Sequence, residues 1–141
     1  MLRLLFGGRE VAAFQLRQQL AGALDALTRE ASLANNVDNA EDQRFQFDAD
    51  LDGNGTTENN VNYQVSGGDL QRVYNGATVT LVRDLTSLDF DYVDTTDANL
   101  AVPVSPQPTR DTIRVVQITA TATKDQETIS LASAAYLRNN R

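Results

Sequence analysis

The sequence has 141 residues with no Cys, His or Trp, and its 19 acidic and 12 basic side chains give it a net charge of -7. Without an imidazole or a thiolate it cannot form a Ser-His triad, a cysteine nucleophile or an ordinary zinc, copper or haem site. The length fits one domain, and the acidic charge argues against nucleic acid as a partner because phosphate contacts require Lys or Arg.

The first predicted element is an amphipathic helix. Residues 10–34 include no Pro and a single Gly, and apolar side chains recur there at spacings of three and four, which places them on one helical face. Asn35-Asn36 can adopt the left-handed conformation that ends a helix, so we expect the helix to end there. The core positions predicted on this face include Leu20, Leu24 and Leu27.

Downstream of the helix, apolar and polar residues alternate in short segments, which is typical of half-buried strands. Gly-containing pairs such as Asp52-Gly53 and Asn75-Gly76 separate these segments and favour hairpin turns. All three prolines fall in residues 94–111, which we therefore predict to be a long surface loop. The predicted strands contain Phe45 and Phe47, Val61 to Val65, residues 70–74, residues 79–82, Leu88 to Tyr92, residues 112–123 and residues 128–137.

This order of elements predicts an α+β fold in which one long N-terminal helix packs on an antiparallel β-meander sheet. Residues 1–36 form the amphipathic helix in this interpretation. Residues 37–141 form a β-rich globular head that belongs to the same domain as the helix.

One acidic segment has the spacing of a calcium loop. Asp48, Asp50 and Asp52 alternate, and Gly53 and Asn54 follow, as at the start of a loop whose oxygens converge on Ca²⁺ after a tight turn. The closing Glu is not at the twelfth position, and Glu58 lies one residue early. We predict Asp48, Asp50, Asp52 and Asn54 as calcium ligands, with Glu58 as a fifth. An acidic hairpin turn with no metal is the competing interpretation.

Five segments in a fixed order are distinctive together: LRQQLAGALDALTREASLA (16–34), DLDGNG (50–55), VNYQVSGGDLQR (61–72), LTSLDFDY (85–92), and IRVVQITATAT (113–123) followed by YLRN (136–139). These segments resemble the PilW-like minor type IV pilins and the J-type minor pseudopilins of type II secretion. The resemblance covers residues 16–139, and the Leu27-Thr28-Arg29-Glu30 element carries most of it within the helix.

The resemblance implies a pilin-like fold and a structural subunit without catalytic activity, which assembles at or near the tip of a type IV pilus or a type II secretion pseudopilus. Its partners would be other minor pilins or pseudopilins, contacted through helix packing. Such proteins are anchored in the inner membrane by an apolar N-terminal half-helix, and their head lies in the periplasm or in an extracellular fibre. That half-helix is missing here, so we expect it to have been removed and residues 1–8 to be partly vector-derived or a rewritten start. A natural soluble homologue is the alternative.

Under this hypothesis the upper part of the helix, around Val11, Phe14 and Leu16, contacts neighbouring helices of a filament. The alternative is an N-terminal turn that packs on the chain's own sheet.

Two other functions remain open from the residues alone. The first is a calcium-dependent extracellular binding or adhesion module that uses the loop of residues 48–54. The second is a hydrolase with paired carboxylates, although nothing in the sequence brings two acidic residues together in a cleft.

Overall fold

The computed structural model describes residues 2–124 and 126–140, with the side chains described from Phe14 onward. The helix α1 spans Leu2–Ala31. Leu20, Leu24 and Leu27 are buried on one of its faces, as predicted. In the part of the chain that the structure describes, no helix is sufficiently long and apolar to traverse a bilayer.

The first sheet contains five antiparallel strands in sequence order. They are β1 (Ala34–Ala40), β2 (Arg44–Ala49), β3 (Glu58–Ser66), β4 (Asp69–Tyr74) and β5 (Ala77–Val82). The β4–β5 turn has positive φ at both central residues, Asn75 and Gly76, which is the conformation that a two-residue hairpin of type I′ requires. The predicted strands at residues 70–74 and 79–82 and the turn between them agree with β4, β5 and this hairpin.

The second sheet contains β6 (Leu85–Asp94), β7 (Asn99–Leu100), β8 (Ile113–Lys124) and β9 (Glu127–Tyr136). Its strand order is β7-β6-β8-β9, with all neighbours antiparallel. The short helix α2 (Gln107–Arg110) lies in the connection between β7 and β8. The predicted loop of residues 94–111 therefore contains a short strand and a helical turn.

The predicted fold class, an α+β pilin-like helix on one meander sheet, is wrong. Within the described residues the chain is mostly antiparallel β structure in two sheets, because β6 pairs with β8 and not with β5. The backbone turns at Asp84, whose φ is 63°, and β6 then runs past the turns of the first sheet. Leu85 N donates to Gly68 O at 2.8 Å, and Phe90 N donates to Asp42 O at 2.7 Å. Alternation identifies a strand but does not identify the strand with which it pairs.

The beginning of the first sheet also differs from the prediction. α1 ends at Ala31, and Asn35 and Asn36 belong to β1 instead of capping the helix. The pairing of β1 with β2 is interrupted by two register shifts, so the buried residues Ala34, Val37 and Ala40 recur every third position. Bulges of this kind remove the alternation by which a strand is recognised. The boundary drawn after residue 36 consequently falls inside β1.

The core lies between the two sheets and under α1, which contacts β8 and β9 of the second sheet and β5 and β2 of the first. Aromatic rings join the sheets: the ring centroid of Phe45 lies 6.1 Å from that of Phe90 and 5.9 Å from that of Tyr92. Phe47 stacks parallel to Tyr63 with the ring centroids 6.3 Å apart. All five rings are fully buried.

Candidate functional sites

The connection between β2 and β3, together with Glu58 at the start of β3, forms an acidic loop (residues 50–58) that surrounds the Asp50 carboxylate. Asp50 Oδ1 accepts a hydrogen bond from Gly53 N at 3.0 Å, and Asp50 Oδ2 accepts one from Gly55 N at 2.7 Å. Both glycines have positive φ, 76° and 89°, which residues with a Cβ rarely adopt. The DG and NG pairs of the sequence therefore allow the backbone to turn its N–H groups toward one carboxylate.

Two further carboxylates join Asp50 in the acidic loop. Asp52 Oδ1 accepts from Asn54 N at 3.1 Å, and Glu58 Oε2 accepts from Leu51 N at 2.7 Å. Carboxylate oxygens of Asp50, Asp52 and Glu58 all lie within 4.8 Å of one another. Since calcium binds oxygens at about 2.3 to 2.6 Å, two oxygens that share one ion can be up to about 5 Å apart. The three carboxylates fit around a single calcium ion.

Asn54 and Asp48, the other predicted ligands, have different neighbours. Asn54 Oδ1 accepts from Thr56 N at 2.7 Å, and its Nδ2 donates to Asp52 Oδ2 at 3.1 Å. Asp48 accepts from Asn60 N at 2.9 Å and from Asn36 Nδ2 at 3.1 Å. The structure brings together three of the four predicted carboxylates, namely Asp50, Asp52 and Glu58, and Asn54 contacts Asp52 of this group.

Asp48 instead faces a second carboxylate, Asp38 of β1. Burial first, and then the hydrogen bond and charge of Asp48, raise the pKa of Asp38 to about 7, while Arg110 and Asn36 act in the opposite direction. Asp38 Oδ1 accepts from Asn36 Nδ2 at 2.8 Å, whereas no donor among the described residues reaches its buried Oδ2. Sequence reasoning missed this pair because it missed β1.

A partly buried polar group of three residues connects α1 to the first sheet. Arg72 Nε and Nη2 donate to the two carboxylate oxygens of Glu30 at 2.7 and 2.9 Å, and Tyr63 Oη also donates to Glu30 Oε1. The hydrogen bond to Glu30 raises the pKa of Arg72, and burial together with Glu30 raises the pKa of Tyr63. Sequence analysis did not single out this group, although all three residues lie in segments that resemble the pilins.

The three residues predicted to form the partner surface on α1, Val11, Phe14 and Leu16, do not share one environment. The side chain of Val11 lies outside the described residues. Phe14 is 60% exposed, whereas Leu16 is only 4% exposed and belongs to the core. Leu16 therefore packs within its own chain, and Phe14 leaves apolar surface exposed.

Comparison with known proteins gives no family assignment. No protein-family model matches the chain, and a search of curated proteins finds no match. The relation to minor pilins and pseudopilins therefore stays a prediction from the residues that carry the resemblance.

Proposed function

We propose that this chain is a structural, non-catalytic subunit of the minor pilin or pseudopilin class, which assembles through α1 at or near the tip of a pilus or secretion pseudopilus. The observation that carries the proposal is the contrast between buried Leu16 and exposed Phe14 on a helix that continues to Leu2. At 1.5 Å per residue, the helix extends about 20 Å beyond Leu16. Neighbouring helices would pack around this extension.

The driving force for assembly would be burial of apolar helix surface. Complete burial of a Phe side chain contributes about 1.5 to 3 kcal/mol, so a bundle that encloses Phe14 gains free energy that the isolated chain lacks. The partners are other minor pilins or pseudopilins. The protein then functions in the cell envelope, anchored in the inner membrane, with its head in the periplasm or in an extracellular fibre.

The polar group of Glu30, Arg72 and Tyr63 supports the assembly role. It fixes the C-terminal end of α1 to β4 through the two-bond ion pair with Arg72 and to β3 through the hydrogen bond from Tyr63, and bidentate pairs restrict orientation as well as distance. A fixed angle between helix and head allows helix packing to determine where the head lies on a fibre tip.

Cross-linking in cells tests this proposal, because the chain has no Cys and each introduced Cys is unique. In the organism that encodes the gene, the thiol of Phe14→Cys is labelled with a maleimide that carries a benzophenone, which on illumination inserts into C–H bonds of a neighbouring protein, and adducts are identified by mass spectrometry. We expect an adduct with another protein that begins with a prepilin-type apolar helix. Val102→Cys is the matched control, since Val102 is an exposed apolar residue outside α1, and we expect no such adduct from it.

A different result would contradict the proposal. Adducts that are equally frequent at positions 14 and 102, or adducts of Phe14→Cys only with proteins that lack such a helix, would show that α1 does not pack in a pilin-type bundle. Unchanged piliation and secretion after deletion of the gene would count against the role as well.

The second candidate function is calcium binding by the acidic loop, as part of an extracellular binding or adhesion module. It is favoured by the convergence of Asp50, Asp52 and Glu58 within 4.8 Å. Three carboxylates supply the hard oxygen ligands that calcium prefers, and water can complete the coordination. Calorimetric titration of the metal-free protein with calcium tests this candidate, and the absence of binding heat would contradict it.

A further inference from the structure

The outward face of the first sheet carries side-chain amides where charged residues would be usual. In the strand register, Asn39, Gln46 and Asn62 form one row across β1, β2 and β3. Arg44, Gln64 and Gln71 form the adjacent row across β2, β3 and β4. We call this surface the amide face and define it by seven residues: Asn39, Arg44, Gln46, Asn60, Asn62, Gln64 and Gln71.

Hydrogen bonds between side chains join the amide face into one network. Gln46 Oε1 accepts from Asn39 Nδ2 at 2.8 Å and from Arg44 Nη2 at 2.7 Å. Arg44 Nε donates to Asn62 Oδ1 at 3.1 Å. The network continues through three bonds: Asn62 Nδ2 to Gln64 Oε1 at 2.8 Å, Gln64 Nε2 to Gln71 Oε1 at 3.2 Å, and Gln46 Nε2 to Asn60 Oδ1 at 3.1 Å.

Such a network holds its members in fixed orientations. Bonds between two side chains are a minority in folded proteins, about 10 to 15% of the total, and a connected set of them restricts each rotamer through its neighbours. Asn62, at the centre, is only 7% exposed. The donors and acceptors that remain open on the amide face are therefore oriented before any ligand arrives.

A shallow depression of about 710 Å³, open to solvent, lies over part of the amide face. Its size falls in the usual range for small-ligand sites, about 300 to 1,000 Å³. Asn60 has a φ of 62°, and its backbone N–H is held by Asp48. Among the described residues, no protein group accepts a hydrogen bond from Asn60 Nδ2. The side chains that surround the site include Arg44, Gln46, Asn59, Asn60 and Asn62.

We propose that this site binds a neutral oligosaccharide. An amide presents a donor and an acceptor in one plane, and a sugar hydroxyl both donates and accepts, so adjacent amides and adjacent hydroxyls are complementary. Arg44 is the single cation among the residues that surround the site, and two of its nitrogens already donate to Gln46 and Asn62. With a net charge of -7, the protein also repels anionic ligands.

The geometry disfavours a peptide as the occupant. Peptides that add to a sheet use the free backbone groups of an edge strand, whereas β3 lies in the middle of the first sheet and pairs with β2 and β4. Side chains alone are available over β3. The inference does not depend on the assembly role of α1.

The test observes the side-chain amides directly. The ¹⁵N-labelled protein is titrated separately with maltohexaose, xylohexaose and chitohexaose, and the Asn and Gln NH₂ signals are followed by NMR. We expect at least one of the sugars to shift signals of the amide face. Asn60→Gly keeps a residue that tolerates positive φ but removes the amide, and loss of about one hydrogen bond should weaken binding by about threefold to tenfold.

The matched control is Gln126→Gly, which removes an amide from another residue with positive φ, 70°, in the β8–β9 turn. We expect this variant to bind like the original protein. The proposal is overturned if none of the three sugars shifts the NH₂ signals of the amide face. It is overturned equally if Asn60→Gly remains folded and binds with unchanged affinity, because the network would then serve only to stabilise the sheet.

Discussion

Glu30 and Asp38 are both partly buried carboxylates, and their partners differ. Glu30 on α1 receives two hydrogen bonds from Arg72 and one from Tyr63, and its side chain is 26% exposed. Asp38 on β1 faces Asp48, and its pKa rises to about 7 through burial and this second carboxylate. Burial penalises the charged form in both places. The group that faces a carboxylate therefore decides whether the carboxylate strengthens the fold, as opposite Arg72, or retains a proton, as opposite Asp48.

Loss of the cation opposite Glu30 should have the largest effect. Arg72→Leu leaves the Glu30 carboxylate without its charged partner, and we expect the free energy of unfolding to fall by about 3 kcal/mol. Urea denaturation measures this loss. The matched control is Arg29→Ala on α1, the helix that carries Glu30. Arg29 forms an ion pair with Asp25 in which the two side chains are 74% and 69% exposed, so loss of this pair should cost less than about 0.5 kcal/mol.

Equal losses in the free energy of unfolding for Arg72→Leu and Arg29→Ala would contradict this prediction, because the Glu30 pair would then act as an ordinary surface pair. Tyr63→Phe measures the contribution of the third hydrogen bond to Glu30. That variant removes one donor to Glu30 but keeps the ion pair, so we expect a loss between those of the other two variants.

The next effect concerns the Asp38 pair and depends on pH. The pKa of Asp38 in the folded protein, about 7, lies above its ordinary value of 3.8, so the folded state holds the proton more tightly than the unfolded state. The stabilising contribution is complete below about pH 4 and is lost as pH rises to about 7. Asp38→Asn imitates the protonated form, and we expect it to stabilise the protein relative to the original at pH 8 but not at pH 4.

Thermal melting of the two proteins across this range measures the difference. Asp94→Asn is the control, because hydrogen bonds from Thr96 and Ala98 lower the pKa of Asp94. Its contribution is present above about pH 4 and is lost in acid, as the pH falls through the lowered pKa. An unchanged difference between the original protein and Asp38→Asn from pH 4 to pH 8 would show that Asp38 ionises normally.

The smallest expected effect is the stabilisation that calcium binding to the acidic loop would give. The carboxylates of this loop accept hydrogen bonds from backbone N–H groups instead of pairing with a cation. At a calcium concentration of about ten times the dissociation constant, one bound ion stabilises the folded state by about 1.4 kcal/mol. We expect Asp50→Asn to abolish this increase, since it removes a charge from the cluster of three. Exposed Asp89 on β6 lies outside the cluster, so Asp89→Asn should retain the increase.

Differential scanning calorimetry with and without calcium measures this change. A calcium-dependent increase that survives in Asp50→Asn would exclude this loop as the binding site. In that case the acidic loop would be a third arrangement, in which the charges of clustered carboxylates are stabilised by backbone N–H donors alone.

Parts of the candidate sites could be predicted from the sequence because they depend on neighbours along the chain. The spacing of Asp50, Asp52 and Glu58 indicated a calcium loop, and the Gly residues between them provide the turns. Asp48 has the same alternating spacing but contacts Asp38, ten residues away on another strand. Glu30 and Arg72 are separated by 42 positions, and no local pattern indicates that they meet.

The sequence by itself determined the elements whose cause is local. The apolar stripe of α1, the Asn75-Gly76 turn and the alternation around Phe45 and Phe47 depend on residues within a few positions of each other. Tertiary structure decided how these elements combine. It divided the β structure into two sheets after Asp84, and it formed β1 through bulged pairing with β2. Strand pairing and buried contacts depend on partners that are distant in the chain, and local periodicity does not encode them.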